Sequence, residues 1–163
     1  MPVTRDITAT YRGPGRVVRR LLAMGEREDR ALAIVMAFCV LAFVARLPAL
    51  ARQAHLTEQD LSPMMGAALM GIVFVLPLCL YGLAGMSHLI ARVIGGQGTW
   101  FGARLALFWA LLASTPLLLL NGLVAGFIGP GPELSAVGFL WFAVFMWFWL
   151  SGLMTAEAKG TSK

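Results

Sequence analysis

Serine and histidine stand side by side at Ser87-His88, and with Ser114 they are the nearest candidates for nucleophilic chemistry, beside His55, Cys39 and Cys79. An intramembrane serine protease needs a serine activated by a histidine or lysine partner. Consecutive helical residues do not face one another, so Ser87 and His88 cannot form that pair. Neither G-x-S-x-G nor H-E-x-x-H occurs. Cys39 and Cys79 lie inside apolar runs, where thiols behave as small hydrophobes. A metal site needs more ligands at closer spacing. His55 falls in a polar loop, and His88 reads as an interface or packing residue rather than a proton relay. The ionisable groups within the spans, Arg46, His88 and Arg104, all lie near span ends, which argues against a coupled pump. The residues therefore predict no catalytic, cofactor-binding or metal-binding set, and no enzyme activity.

The elements around these residues are more legible. Leu61 to Ile90, Leu105 to Gly131 and Leu134 to Ala156 contain no Asp, Glu, Lys or Arg. About 20 helical residues cross about 30 Å of hydrocarbon. The chain has 163 residues, 59% hydrophobic and only 13% charged, about half the roughly 25% charge of a soluble domain. The expected fold class is all-α: a polytopic membrane protein with four transmembrane helices and a short basic amphipathic N-terminal segment. Residues 1–30 are expected to form a cytoplasmic arm, 31–156 the four-span membrane domain and 157–163 a cytoplasmic tail. Residues 1–30 are too polar for a signal peptide, so the first span is expected to direct insertion.

Along the chain, residues 1–12 read as a polar arm. In Arg16 to Met24, Val17, Val18, Leu21 and Leu22 take one helical face, while Arg16, Arg19 and Arg20 take the other. These three arginines are the expected contacts to anionic lipid headgroups. Span one is expected over about Ala31 to Leu50. A central Arg46 would cost about 2.5–3.5 kcal/mol on insertion scales, so it should snorkel to the outer interface. Ser62-Pro63 reads as the capped start of span two, Pro77 as a kink, and Gly95-Gly96 as its stop. Span three is expected from Thr99 to Ile128, interrupted at Pro116 and at Asn121-Gly122. It is either one tilted crossing or a crossing plus an interfacial segment. Gly102, Ala106, Ala110 and Ser114 recur every four residues, and Gly122 and Gly126 form a small-xxx-small pair. These six are the expected helix-contact positions. Span four, from about Ala136 to Met154, carries Trp141, Trp147 and Trp149 as expected interfacial anchors.

The net charge is +5, yet its distribution points to membrane topology rather than nucleic acid. Of the 13 Lys and Arg, all but Arg46 and Arg52 fall on the side of the N-terminus, the loop after span two and the tail. Positive-inside asymmetry then predicts both termini in the cytoplasm.

Ser87 to Pro116 resembles the core of the Yip family, the Ypt/Rab-interacting-protein superfamily of small polytopic membrane proteins, in its bacterial branch. The matching features are the His-Leu-Ile-Ala-Arg end of span two and the Gly95-Gly96-Gln97-Gly98-Thr99 turn. An aromatic-and-Arg helix start (Trp100, Arg104) and the Ala113-Ser114-Thr115-Pro116 step follow. Gly13-Pro14-Gly15-Arg16 is similar to the family's proline-then-basic leader. The resemblance implies an all-helical membrane domain with a cytoplasmic N-terminus. Four spans stand where five are usual, and Arg12 interrupts the eukaryotic Leu-Tyr-Gly-Pro pattern, so no Rab-binding role and no catalytic residue carry over. The expectation is a non-enzymatic protein of the bacterial inner membrane, acting in membrane organisation or as an accessory subunit of a membrane complex. Its expected partners are the lipid bilayer and other membrane proteins or itself. The alternative is a small transporter or channel component opened around Pro77 and Pro116.

Overall fold

In lipid no water takes up backbone hydrogen bonds, so apolar runs satisfy their own as helices. The computed structural model describes residues 3–158, and among the described residues there is helix and no strand. Two short helices, α1 (Val3–Thr10) and α2 (Pro14–Ala23), precede α3 (Glu28–Thr57). Next come α4 (Leu61–Leu69), a π-helical turn (Met70–Val75) and α5 (Leu76–Val93), which together make one continuous rod. Then α6 (Trp100–Ala113) and α7 (Thr115–Phe127) meet at Ser114, and α8 (Pro132–Glu157) follows. The 30-residue α3, the 33-residue α4–α5 rod and the 26-residue α8 are each long and apolar enough to cross a membrane. A fourth crossing results if α6 and α7, bent by 46° at their junction, act as one broken span.

Helices outrun the apolar stretches, because a hydrogen-bonded helix need not stop where hydrocarbon does. Residues 3–10, expected as part of a polar arm, form α1 instead. The α4 N-cap is Asp60, one residue before the helix begins at Leu61, so Ser62 and Pro63 lie in the first turn rather than at the cap. Proline lacks an N–H and leaves a carbonyl one turn back without its partner. The π-helical turn directly before Pro77 takes up that disturbance, as such turns do within broken membrane helices. Gly95, at φ +101, closes α5 as a left-handed stop. Span three breaks at Ser114, and α7 runs unbroken through Asn121-Gly122. Ser114 Oγ and Thr115 Oγ1 both donate to the Leu111 carbonyl, at 2.9 and 3.3 Å, filling the acceptor that the break frees.

The centre of the bundle is α6. Every residue from Leu105 to Ala113 is buried, enclosed by the N-terminal helices, α3, α5 and α8. With lipid as solvent, such a core is held by close packing rather than by expulsion of water. Trp141, Phe145 and Trp149 recur every four residues on α8 and stack at 5.8 and 5.6 Å along its packed side. Trp141 and Trp149 are thus packing residues rather than interfacial anchors. Of the three tryptophans, only Trp147 is exposed.

Candidate functional site

Small side chains set the spacing of the helices. On α6, a Cβ at Gly102 would touch Ala156 Cβ at 3.3 Å, and a Cβ at Gly152 of α8 would meet Ala106 Cβ at 3.3 Å and Val18 Cγ2 at 3.2 Å. Ala110 and Ser114 continue this stripe and are fully enclosed. On α7, Gly122 lies directly against the Ala45 carbonyl of α3, and Gly126 against Pro48. The six small residues thus pack within this chain. Asn121 Nδ2 donates to the Leu134 carbonyl at 3.3 Å, joining α7 to the first turn of α8.

Polar and charged groups gather at one end of the bundle, where α1, α2, the start of α3, the α5–α6 turn and the end of α8 meet. Val17, Val18 and Leu21, the apolar face of α2, are buried against α6 and α8. They cover protein rather than lipid, and Arg16, Arg19 and Arg20 remain exposed. The face that a free amphipathic helix would offer to acyl chains is here taken by the bundle. Arg20 pairs with Asp6 of α1. Thr10 Oγ1 donates to the Asp6 carbonyl at 2.7 Å and accepts from the buried Trp109 Nε1 at 3.0 Å. Tyr11 meets the edge of Phe148 at 4.9 Å, and partial burial pushes its phenol above the ordinary 10.0. Arg30 Nη1 donates to the Leu21 carbonyl at 3.3 Å, tying α2 to α3. Arg104 pairs with Glu28 and lies over the Tyr81 ring.

The most elaborate arrangement at this end surrounds Glu157. His88 Nδ1 lies 2.7 Å from Glu157 Oε1, with the two side chains 1% and 8% exposed. With Glu157 ionised the carboxylate accepts, and the proton between the two groups belongs to His88 Nδ1. The second carboxylate oxygen accepts from the Gly98 N–H at 2.9 Å, and the Glu157 carbonyl accepts from the Gln97 N–H at 3.2 Å. A Cβ at Gly96 would lie 2.6 Å from Glu157 Oε2, and one at Gly98 would collide with the Ala156 carbonyl. Gly96 and Gly98 therefore let this turn close on Glu157 more tightly than any Cβ would allow. Thr99 Oγ1 accepts from the Gly102 N–H at 3.1 Å and caps α6, and the His88 ring packs on Trp100 at 4.6 Å. Glu157, expected in the tail, and His88, expected as an interface or packing residue, are thus partners. The available signal was Glu157 itself, the sole acidic group beside the C-terminal end of span four, opposite the sole histidine of span two. Lys159 and Lys163 of the tail lie outside the described residues.

Away from this end, a cavity of about 680 Å³ opens between α3, the π-helical turn, α5, α7 and α8. Its walls are apolar apart from Arg46 and Asn121, and Cys79 lines it. Among the described residues, no group of three or more His, Cys, Asp or Glu gathers as a metal-binding set. Compared with known proteins, residues 9–162 match the Yip1 domain. No curated protein and no solved structure matches.

Proposed function

The chain belongs to the Yip1 domain family, and from that premise we propose that it is a non-enzymatic, four-span protein of a bacterial cytoplasmic membrane, acting in membrane organisation or as an accessory subunit of a membrane complex. The observation that carries this reading is the two-ended distribution of charge. Arg5, Arg12, Arg16, Arg19, Arg20, Arg27, Arg30, Arg92 and Arg104 lie on the segments gathered at the end where α1 and α2 dock, against Arg46 and Arg52 toward the other. Positive charge collects on the cytoplasmic leaflet, whose anionic lipids attract it. That end accordingly faces the cytoplasm, with both termini, and Arg16 and Arg19 meet headgroups there. The buried polar groups tie helix to helix, the work of a scaffold rather than of a reaction centre.

The stripe Gly102, Ala106, Ala110 and Ser114 is used within the chain, so contact with another protein falls on the outer face of α8. Phe139 and Phe142 are both exposed there. Purification in mild detergent followed by mass spectrometry tests this. A specific membrane protein should co-purify with the wild type and be lost from a Phe139→Ala/Phe142→Ala variant that stays folded. Recovery of the same proteins with both forms would defeat the α8 interface.

The cavity beside Pro77 favours a second reading, a transport component. Cys79 supplies its test without mutation. A water path would let a membrane-impermeant maleimide reach Cys79 in intact membranes. A lipid-filled recess, as the apolar walls favour, would leave it unlabelled.

A further inference from the structure

Two helical faces at the basic end share a spacing. On α1 and the turn after it, Arg5, Thr8, Ala9 and Arg12 follow i, i+3, i+4, i+7, which is one side of a helix. Leading into and along α2, Gly13, Arg16, Val17 and Arg20 repeat the same intervals. The turn at residues 11–13 sets the two faces opposite each other, and these eight residues enclose a concavity of about 710 Å³. Four guanidinium groups therefore border one space. Asp6, the buried carboxylate of α1, answers only Arg20. Arg5, Arg12 and Arg16 form no ion pair among the described residues. Arg19 lies on α2 but outside the concavity.

The depth of this pocket identifies its occupant. Gly15 of α2 packs beside Thr155, and Val18 beside Gly152. The pocket is therefore level with the last two turns of α8, about one to two turns beyond the exposed Trp147. An exposed tryptophan on a membrane helix marks the headgroup zone, so the arginines lie where lipid phosphates lie. Guanidinium groups take phosphate oxygens in paired hydrogen bonds. Three uncompensated cations call for more negative charge than one phosphodiester carries.

We infer that Arg5, Arg12, Arg16 and Arg20 form a binding pocket for the headgroup of an anionic membrane lipid that presents two phosphate groups. This rests on the proposed placement of the arginine end at the anionic leaflet and adds a defined site to it. Arg5 and Arg12 bind alongside Arg16, whereas Arg19 contributes only to the general surface charge.

The experiment uses the full-length protein in neutral detergent. Native mass spectrometry follows binding of a two-phosphate diphosphatidylglycerol, a one-phosphate phosphatidylglycerol and a zwitterionic phosphatidylcholine, with inorganic phosphate as the soluble arm. The two-phosphate lipid should bind best, and excess inorganic phosphate should displace it only weakly. Arg5→Gln/Arg12→Gln should weaken that binding by roughly tenfold or more, as expected when charge-assisted hydrogen bonds are lost. Arg19→Gln/Arg27→Gln, which removes the same charge, should change it less than about threefold, a surface-charge effect. Equal loss from the two double variants overturns the pocket while leaving the surface reading intact. Absence of any preference for anionic lipid in the wild type overturns both. Efficient displacement by inorganic phosphate makes the site one for soluble phosphate and overturns the lipid assignment. Arg20 is spared because its pairing with Asp6 holds α1 to α2, and thermal unfolding of each variant should match the wild type.

Discussion

Glu157 shows how much one side chain can organise. Its carboxylate satisfies His88 from α5 and the Gly98 N–H from the following turn, and its backbone carbonyl takes the Gln97 N–H. Glu157→Ala would leave a buried imidazole and a backbone N–H without partners. Leaving a buried donor unsatisfied costs about 1–3 kcal/mol. We expect a clear fall in the detergent unfolding temperature of Glu157→Ala. Glu157→Gln should lose less, because its amide oxygen still accepts from Gly98 and its NH₂ can donate to the His88 ring. If Glu157→Ala unfolds with the wild type, Glu157 is not a structural clasp. His88 was visible in the sequence as a polar group near the end of an apolar run. Its partner was not, because the two are 69 positions apart and no local periodicity links them.

Among the elements, α6 is the one on which α1, α2, α3, α5 and α8 all pack. A residue of about alanine's size is needed wherever a neighbouring backbone approaches it, which makes Ala110 and Leu111 an informative pair. Ala110 is 1% exposed and Leu111 5%, so both are enclosed, but Leu111 borders the 680 Å³ cavity. Ala110→Ile should overpack the core and cost about 1–3 kcal/mol. Leu111→Ile keeps its volume and has space beside it, so its effect should be markedly smaller. Thermal unfolding in detergent reads both. A larger loss from Leu111→Ile would mean that the cavity is closed in the membrane. The small-residue stripe was legible because packing in lipid demands it. What it packs against was not, since a four-residue interval does not say whether the neighbouring helix belongs to the same chain. The break at Ser114 was also hidden. Pro116 announces a disturbance, but hydrogen bonds to the Leu111 carbonyl decide where the helix turns.

At the scale of the molecule, long apolar runs made the helical membrane fold readable, because about 30 Å of hydrocarbon admits few alternatives. The docking of α1 and α2 was not readable, since a basic amphipathic helix looks the same whether its apolar face covers lipid or protein. Orientation gives the global prediction. Reporter fusions after Ala54 and Pro132 should lie in the periplasm, and fusions after Gly98 and Lys163 in the cytoplasm. A cytoplasmic signal after Pro132 would mean that α6 and α7 do not complete a crossing. The seat of α2 on residues 151–155 of α8 and the closure of the 96–98 turn by Glu157 also bear on synthesis. Of the described helices α8 leaves the ribosome last, yet the arginine-bearing helices made first and the turn made midway both dock on its final two turns. The earlier spans can insert one by one, but the basic platform lacks its seat on α8 until translation has passed Glu157. Docking of the arginine-bearing helices on α8 thereby becomes a check that all the described helices have been made.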